Sequence, residues 1–230
     1  MRAIILAAGK GERLQSVEPN VPKPMVRIAD TPVLEFTVEH LNDCGIHGII
    51  VTTGHLSEQI IDYFEGQWGL TMQYTVEKEP LGTAGGFKEA MRLFGWNGPV
   101  LVWNGDNFST CDPRRMLEYH KAHGGDATMA ICWRKNASQS SVIEWSWDNR
   151  ITYFREKAER KLDYGWVNAG IYILNESVMD YIPDVGDFGY DVFPSMIRDR
   201  DMFAYGFSQD EWLYWYDTPA DLAELRKRFP

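Results

Sequence analysis

A short β-branched run, Ala3-Ile4-Ile5-Leu6, empties directly into Ala7-Ala8-Gly9-Lys10-Gly11-Glu12-Arg13-Leu14, and this junction constrains the chain more than any other stretch. Its small residues let the backbone approach a ligand with no Cβ atoms in the way. A strand that ends in such a loop points N–H groups at anionic oxygen. Lys10, Arg13 and, a little later, Lys23 add full positive charge around the same turn. The expectation is a phosphate-holding loop on the first strand of an α/β fold.

Two loop motifs are excluded. A dinucleotide fingerprint needs a third glycine where this chain has Leu14, and an acidic residue at the end of the second strand, which reads Val51-Thr52-Thr53-Gly54. A P-loop needs Ser or Thr after its Gly-Lys, and Lys10 is followed by Gly11.

Downstream, apolar strands alternate with amphipathic helices. Thr31-Pro32 reads as the N-cap and first turn of a helix carrying Leu34, Val38 and Leu41, which ends near Gly45. Gly48 to Thr52 reads as a buried strand, a short helix starts at Ser57, and Thr71 to Glu77 alternates as a strand. Such a βαβαβ order implies a parallel sheet. A helix opened by Thr83-Ala84-Gly85-Gly86 and running through Ala90, Met91 and Phe94, a central strand at Pro99 to Trp103, a helix capped by Asp112-Pro113 and a strand at Ala127 to Cys132 continue the pattern. From Ser140 to Leu174 the segments turn β-rich: Val142 to Trp145, Ile151 to Phe154 and Trp166 to Leu174. Strands at Met202 to Phe207 and Trp212 to Tyr216 and a helix opened by Thr218-Pro219 close the chain. One domain over 1–230 is expected, with an α/β half to about residue 135 and a β-rich half from about 136.

A formal charge of −10 with no basic stripe argues against a nucleic-acid partner. No run approaches the roughly 20 apolar residues of a bilayer span, and no signal segment opens the chain, so a cytoplasmic protein with no membrane partner is expected. Cys44, Cys111 and Cys132 read as small hydrophobes in a reducing compartment. His120 and His123 lie three apart on a helix with no third ligand at hand and read as surface histidines. The tryptophans read as core, with Trp145 or Trp166 open to stacking on a sugar.

Asp106 follows the central strand and Asp217 follows the strand Trp212 to Tyr216. Carboxylates at two strand ends can share a Mg²⁺, which prefers few carboxylates plus phosphate oxygens and water. Taken singly, one is a turn residue and the other an acid at a helix N-terminus.

Leu6-Ala7-Ala8-Gly9-x-Gly11-x-Arg13 followed by Pro22-Lys23-Pro24-Met25 resembles the signature of the sugar-phosphate nucleotidylyltransferases, and the likeness runs from Met1 to about Phe229. It implies an α/β fold with a Rossmann-like mixed, mainly parallel sheet flanked by helices, of the nucleotide-diphospho-sugar transferase type, with a small β-rich acceptor region. It places Leu6, Ala7, Ala8, Gly9, Gly11, Arg13, Lys23, Glu79, Gly82, Thr83 and Asn104 on the nucleotide. Glu77 to Gly86 would lie along the base, with Gly82 allowing its close approach. Glu156, Lys157, Asn168 and Gly170 would hold the sugar phosphate. Asp106 and Asp217 would hold Mg²⁺, and Arg13, Lys23 and Asp106 would be catalytic. The pattern departs at Gln139-Ser140-Ser141-Val142-Ile143-Glu144, where members carry a Tyr-Gly-type turn.

The implied reaction joins a nucleoside triphosphate to a sugar 1-phosphate. The stretch Glu77 to Thr83 points to GTP with heptose or mannose 1-phosphate, and the lack of the long C-terminal extension that many mannose 1-phosphate enzymes carry favours the heptose type. A UTP-dependent N-acetylmuramate or glucose 1-phosphate enzyme, a phosphocholine-type cytidylyltransferase with an aromatic cage, and a non-catalytic nucleotide-sugar-binding regulator stay open. A homo-oligomer is compatible with all of these.

Overall fold

In the computed structural model, which describes residues 1–65, 71–135, 137, 140–156 and 162–230, the first strand is β1 (Arg2–Leu6). A 3₁₀ turn at Glu12–Leu14 and another at Lys23–Met25 lead into the short antiparallel pair β2 (Arg27–Ile28) and β3 (Thr31–Pro32). Then come α1 (Val33–Asp43), β4 (Gly48–Thr53), α2 (Ser57–Phe64), β5 (Thr71–Val76), α3 (Gly82–Phe94) and β6 (Val100–Asn104). Next are β7 (Phe108–Ser109), α4 (Pro113–His123), β8 (Ala127–Lys135), β9 (Val142–Trp145), β10 (Ile151–Arg155) and β11 (Tyr164–Leu174). The chain closes with α5 (Phe193–Asp199), β12 (Met202–Gly206), β13 (Leu213–Tyr214) and α6 (Pro219–Arg228).

The main sheet runs β10-β9-β11-β6-β1-β4-β5, with β8 on the other edge of β11 and β12 beyond it. Pairing is parallel among β6, β1, β4 and β5, as the βαβ alternation predicts. β11 runs antiparallel to β6, β8 and β9, so the β-rich segments extend this same sheet. Side chains alternate between two cores. Ile4, Ile50, Val102 and Tyr172 face α3 and α5, whereas Ile5, Val51, Trp103 and Ile171 face α1, α2 and α4. Because both faces are covered, the central strands read as unbroken apolar runs. A third core under α6 joins Leu14, Val33, Phe108, Tyr216 and Leu222. No helix among the described residues is long and apolar enough to cross a membrane.

Two expectations are corrected. Thr31 does not cap α1: Ala29 and Asp30 both have positive φ, 50° and 61°, and make a tight hairpin turn that folds Thr31–Pro32 back onto Arg27–Ile28. The helix starts at Val33 without a side-chain cap. His120 is no surface residue. It is buried, with Nδ1 2.9 Å from the Thr128 hydroxyl, and burial holds its pKa below the ordinary value. His123 stacks on Tyr119 with centroids 3.9 Å apart.

Candidate active site

The glycine loop leaves β1 at the C-terminal edge of the parallel strands, where open α/β sheets gather ligands. Gly105 N–H donates to the Leu6 carbonyl at 2.8 Å and Ala7 N–H to the Thr52 carbonyl at 2.9 Å, so three strand ends are tied together. Gly11 has φ +61°, and a Cβ there would fall 2.8 Å from the Lys23 Cβ. The glycine loop and the Pro-Lys-Pro-Met segment therefore pack directly on each other.

Lys23 is the centre of the arrangement. Its Nζ lies 2.6 Å from Asp106 Oδ2 and 2.7 Å from Asp217 Oδ1, and 5.3 Å from the Tyr216 ring centroid. The two aspartates read as candidate metal ligands thus converge on one cation. Burial works to lower the Lys23 pKa, but both carboxylates, by charge and hydrogen bond, carry it above its ordinary value. Asp217 shows the reciprocal balance. Burial pushes its carboxyl up, and the combined pull of Lys23, Arg134 and Arg13 brings it below the ordinary value. Asp217 is not consumed as a helix acid, because Thr218 and Asp221 form the capping box of α6.

A depressed carboxyl contributes stability that is complete above its unfolded pKa, about 4, and is lost as pH falls through the lower folded value. The raised Lys23 contributes stability that is complete below its unfolded pKa near 10.5 and is lost as pH rises beyond it. Urea midpoints measured from pH 5 to pH 2.5 are therefore expected to fall less steeply in Lys23→Met than in the wild type. Identical acid slopes would remove Lys23 as the source of the Asp217 shift.

A cavity of about 540 Å³ opens over this centre. Leu6 to Leu14, Lys23, Thr52, Asn104, Asp106 and Asp217 line it on the loop side, and Glu77, Pro80, Gly82 and Thr83 on the other. Glu79, expected on the nucleotide, is exposed and lies off this lining; Glu77 faces the cavity instead. A second cavity of about 310 Å³ adjoins it and shares Thr83, Asn104, Asp106, Asp187 and Asp217. Glu156, Asn168 and Gly170 line the second cavity. Lys157 lies outside the described residues, as does Gln139.

Local chemistry explains how this second wall is built. The register of β11 against β8 shifts between Asn168 and Tyr172. This bulge turns the Ala169 and Gly170 carbonyls toward the Asn107 amide, at 2.7 Å and 3.2 Å. Gly170 sits at φ +71°, and a Cβ there would lie 2.5 Å from Asn104 Nδ2. Asn168 Oδ1 accepts from Gly170 N–H at 2.8 Å while its amide donates to Tyr172 at 2.7 Å. In the segment that departs from the family pattern, the Ser141 hydroxyl donates to Glu156 and the Ser140 hydroxyl accepts from Arg134.

Several lining residues escape sequence reasoning. Asp187 accepts from Thr83 N–H at 3.0 Å and from its hydroxyl at 3.1 Å, across 104 residues, so no local pattern announces it. Trp215 stands two residues before Asp217, and both line the smaller cavity. Trp145 and Trp166 do not line either cavity. They pack edge to face with each other, and Trp166 with Trp133. Trp103 is core, but Trp147 is 96% exposed.

A glycine-rich phosphate loop over two converging carboxylates, on a mixed sheet between helices, defines a nucleotide-handling α/β protein. The nucleotidyl transferase family model matches residues 2–225, and the chain belongs to that family. A D-glycero-alpha-D-manno-heptose 1-phosphate guanylyltransferase of Aneurinibacillus thermoaerophilus is 32% identical over 230 residues, covering 99% of this chain and 97% of its own length. A mannose-1-phosphate guanyltransferase of Pichia angusta is 31% identical over 225 residues, 95% of this chain but 60% of its own length. Among solved structures, HddC from Yersinia pseudotuberculosis complexed with GMP-PN superposes with a TM-score of 0.84 at 26% identity, over 100% of this chain and 99% of that one. A Bacillus anthracis protein in complex with a sucrose, 22% identical, superposes with a TM-score of 0.86 over 99% of this chain and 94% of its own, which bears on the fold alone.

Proposed function

We propose that the chain is a guanylyltransferase that joins GTP to a heptose or mannose 1-phosphate, giving the GDP-sugar and pyrophosphate. The observation that carries this reading is the pair of adjoining cavities that meet at Asp106 and Asp217, one under the phosphate loop and one lined by Glu156, Asn168 and Gly170. The guanylyl assignment draws on the relatives of both named activities.

In the reaction a sugar 1-phosphate oxygen bonds to the α-phosphorus while the bond from that phosphorus to the bridging oxygen breaks, and pyrophosphate leaves with the electron pair. A phosphate monoester is already an adequate nucleophile, so positioning and charge neutralisation dominate. Arg13 and Lys23 meet the triphosphate and the charge that develops on it, and the N–H groups of the glycine loop cradle its oxygens. Glu156, oriented by Ser141, accepts from sugar hydroxyls, and Asn168 and Gly170 shape the sugar side. Lys157 is assigned to the acceptor phosphate on the family resemblance.

A divalent cation fits the donor set. The larger cavity is lined by three cationic side chains, Lys10, Arg13 and Lys23, against five carboxylates, Glu12, Glu77, Asp106, Asp187 and Asp217. A triphosphate added there needs further positive charge. Asp106 and Asp217 would hold Mg²⁺, which would supply that charge at the phosphates. The three cysteines are free, which fits a reducing compartment, and we place the enzyme in the cytoplasm. A phosphocholine-type cage is disfavoured because the Trp215 face is already taken by Arg134, 4.1 Å from the ring centroid.

The test is pyrophosphate release from GTP, UTP, CTP and dTTP against heptose, mannose, glucose and N-acetylmuramate 1-phosphates. GTP with the heptose or mannose ester is expected to be preferred. A tenfold preference for UTP or CTP, about 1.4 kcal/mol in transition-state binding, would sink the guanylyl assignment and leave the reaction class standing.

A further inference from the structure

We propose that Arg134 is a second cationic anchor for the phosphate of the acceptor, acting from the end of β8 on the wall of the smaller cavity, beside Asp217. The inference deepens the function proposed above and rests on it. Along β8 the side chains alternate: Trp133 and Lys135 are exposed on one face, while Arg134 turns to the other and lines the smaller cavity. Arg13 and Lys23 line only the larger one, so the described cations divide between the two substrates.

The guanidinium is built into place. Its side chain is 15% exposed, and its guanidinium carbon lies over the Trp215 indole, 4.1 Å from the ring centroid. Nη1 donates to the Ser140 hydroxyl, and Nη2 stands 3.9 Å from Asp217 Oδ2, beyond hydrogen-bond distance. Asp217 spends its other oxygen on Lys23 at 2.7 Å. A guanidinium has five N–H donors, and stacking on an aromatic face leaves its edge free for an anion in the same plane. Among the described residues, this mostly buried cation therefore lines the smaller cavity with one neutral hydroxyl in hydrogen-bond reach and the carboxylates of Asp217 and Asp221 acting on it only through charge. Burial lowers its pKa and Asp217 opposes that, yet an arginine stays charged at any working pH.

Position selects the ligand. An acceptor phosphate must lie in the smaller cavity and reach an α-phosphorus held beside Asp106 and Asp217, and Arg134 borders that point. A dianionic phosphate matches the planar fork of a guanidinium. The segment that departs from the family pattern acquires a role in the same step. Its consecutive serines orient one cation and one anion of the acceptor wall, Ser140 on Arg134 and Ser141 on Glu156.

The experiment measures steady-state constants of the full chain for GTP and heptose 1-phosphate in wild type, Arg134→Gln and Arg134→Lys, with thermal midpoints as a folding control. Loss of one charge-assisted contact predicts a KM for the sugar 1-phosphate raised roughly tenfold to a hundredfold in Arg134→Gln, with the KM for GTP within twofold. Arg134→Lys, which keeps the charge and loses the fork, is expected to recover part of the loss. A sugar-phosphate KM unchanged within twofold in Arg134→Gln, or equal increases for both substrates, overturns the inference. If Arg134→Gln does not fold, Arg134→Lys decides: an unchanged sugar-phosphate KM overturns the anchor role. Wild-type enzyme that turns over no sugar 1-phosphate at all would instead retire the proposed function itself, and that outcome is read before any variant is compared.

Discussion

Asp106→Ala is expected to lower turnover by about a thousandfold, which corresponds to about 4 kcal/mol of transition-state stabilisation. The expectation rests on where the carboxylate stands. It is held by Lys23 at 2.6 Å, it borders both cavities, and its side chain is 36% exposed, so it is reachable from solvent and not buried as a structural acid. Removing it takes away one of two carboxylates proposed to share a divalent cation, at the point where the two substrates meet. Asp106→Asn separates charge from shape and is expected to lose nearly as much. The fold should survive either change, because the strand ends around Asp106 are fixed by the Leu6–Gly105 and Ala7–Thr52 backbone bonds. The decisive measurement is single-turnover pyrophosphate release with and without EDTA. Near-normal, EDTA-insensitive activity in Asp106→Ala or in Asp217→Ala would sink the shared cation site.

Much of this centre is legible in the chain because it depends on local pattern. A β-branched run ending in small residues marks β1 and its loop, and Asp112-Pro113 and Thr218-Pro219 mark two helix starts that the structure caps through Asp112 and Thr218. Asp106 and Asp217 follow strands and converge as expected. What is not legible depends on long-range packing. Thr31-Pro32 carries the composition of a helix start, but two positive-φ residues before it commit the chain to a hairpin. His120 lies on a helix whose charged sequence suggests exposure, yet it shares the inward face with Met116, one turn earlier.

The acceptor wall illustrates the same limit. Asp187 and Thr83 meet across 104 residues, and that contact joins the N-terminus of α3, on the nucleotide side, to the segment carrying Phe188 and Tyr190 on the acceptor side. Neither partner belongs to a local motif that predicts the other. Arg134 reads in sequence as one more strand-end cation beside Lys135, and only the register of β8 against β11 separates the inward residue from the outward one.

Lys23→Met is expected to move two observables in opposite directions: turnover falls by roughly a hundredfold, while a divalent cation binds the free protein several-fold more tightly. In the free protein the Lys23 ammonium sits between Asp106 and Asp217 and already satisfies both, so a metal ion must compete with it. Removing the competitor leaves two carboxylates facing one another with no shared cation. Asp217 then moves toward protonation, because burial pushes its carboxyl up and the largest opposing pull, that of Lys23, is gone. The variant is therefore expected to be less stable than wild type at neutral pH and to regain stability either on acidification or on addition of Mg²⁺. With nucleotide bound the balance reverses, because the triphosphate loses a cation from the wall of its own cavity and the developing charge goes uncompensated. Mn²⁺ titration of the apo protein, paired with single-turnover rates at saturating metal, separates the two effects. Weaker metal binding in Lys23→Met would mean that the lysine organises the carboxylates for the ion, and turnover recovered by high metal would mean that its charge is needed only to hold the site together.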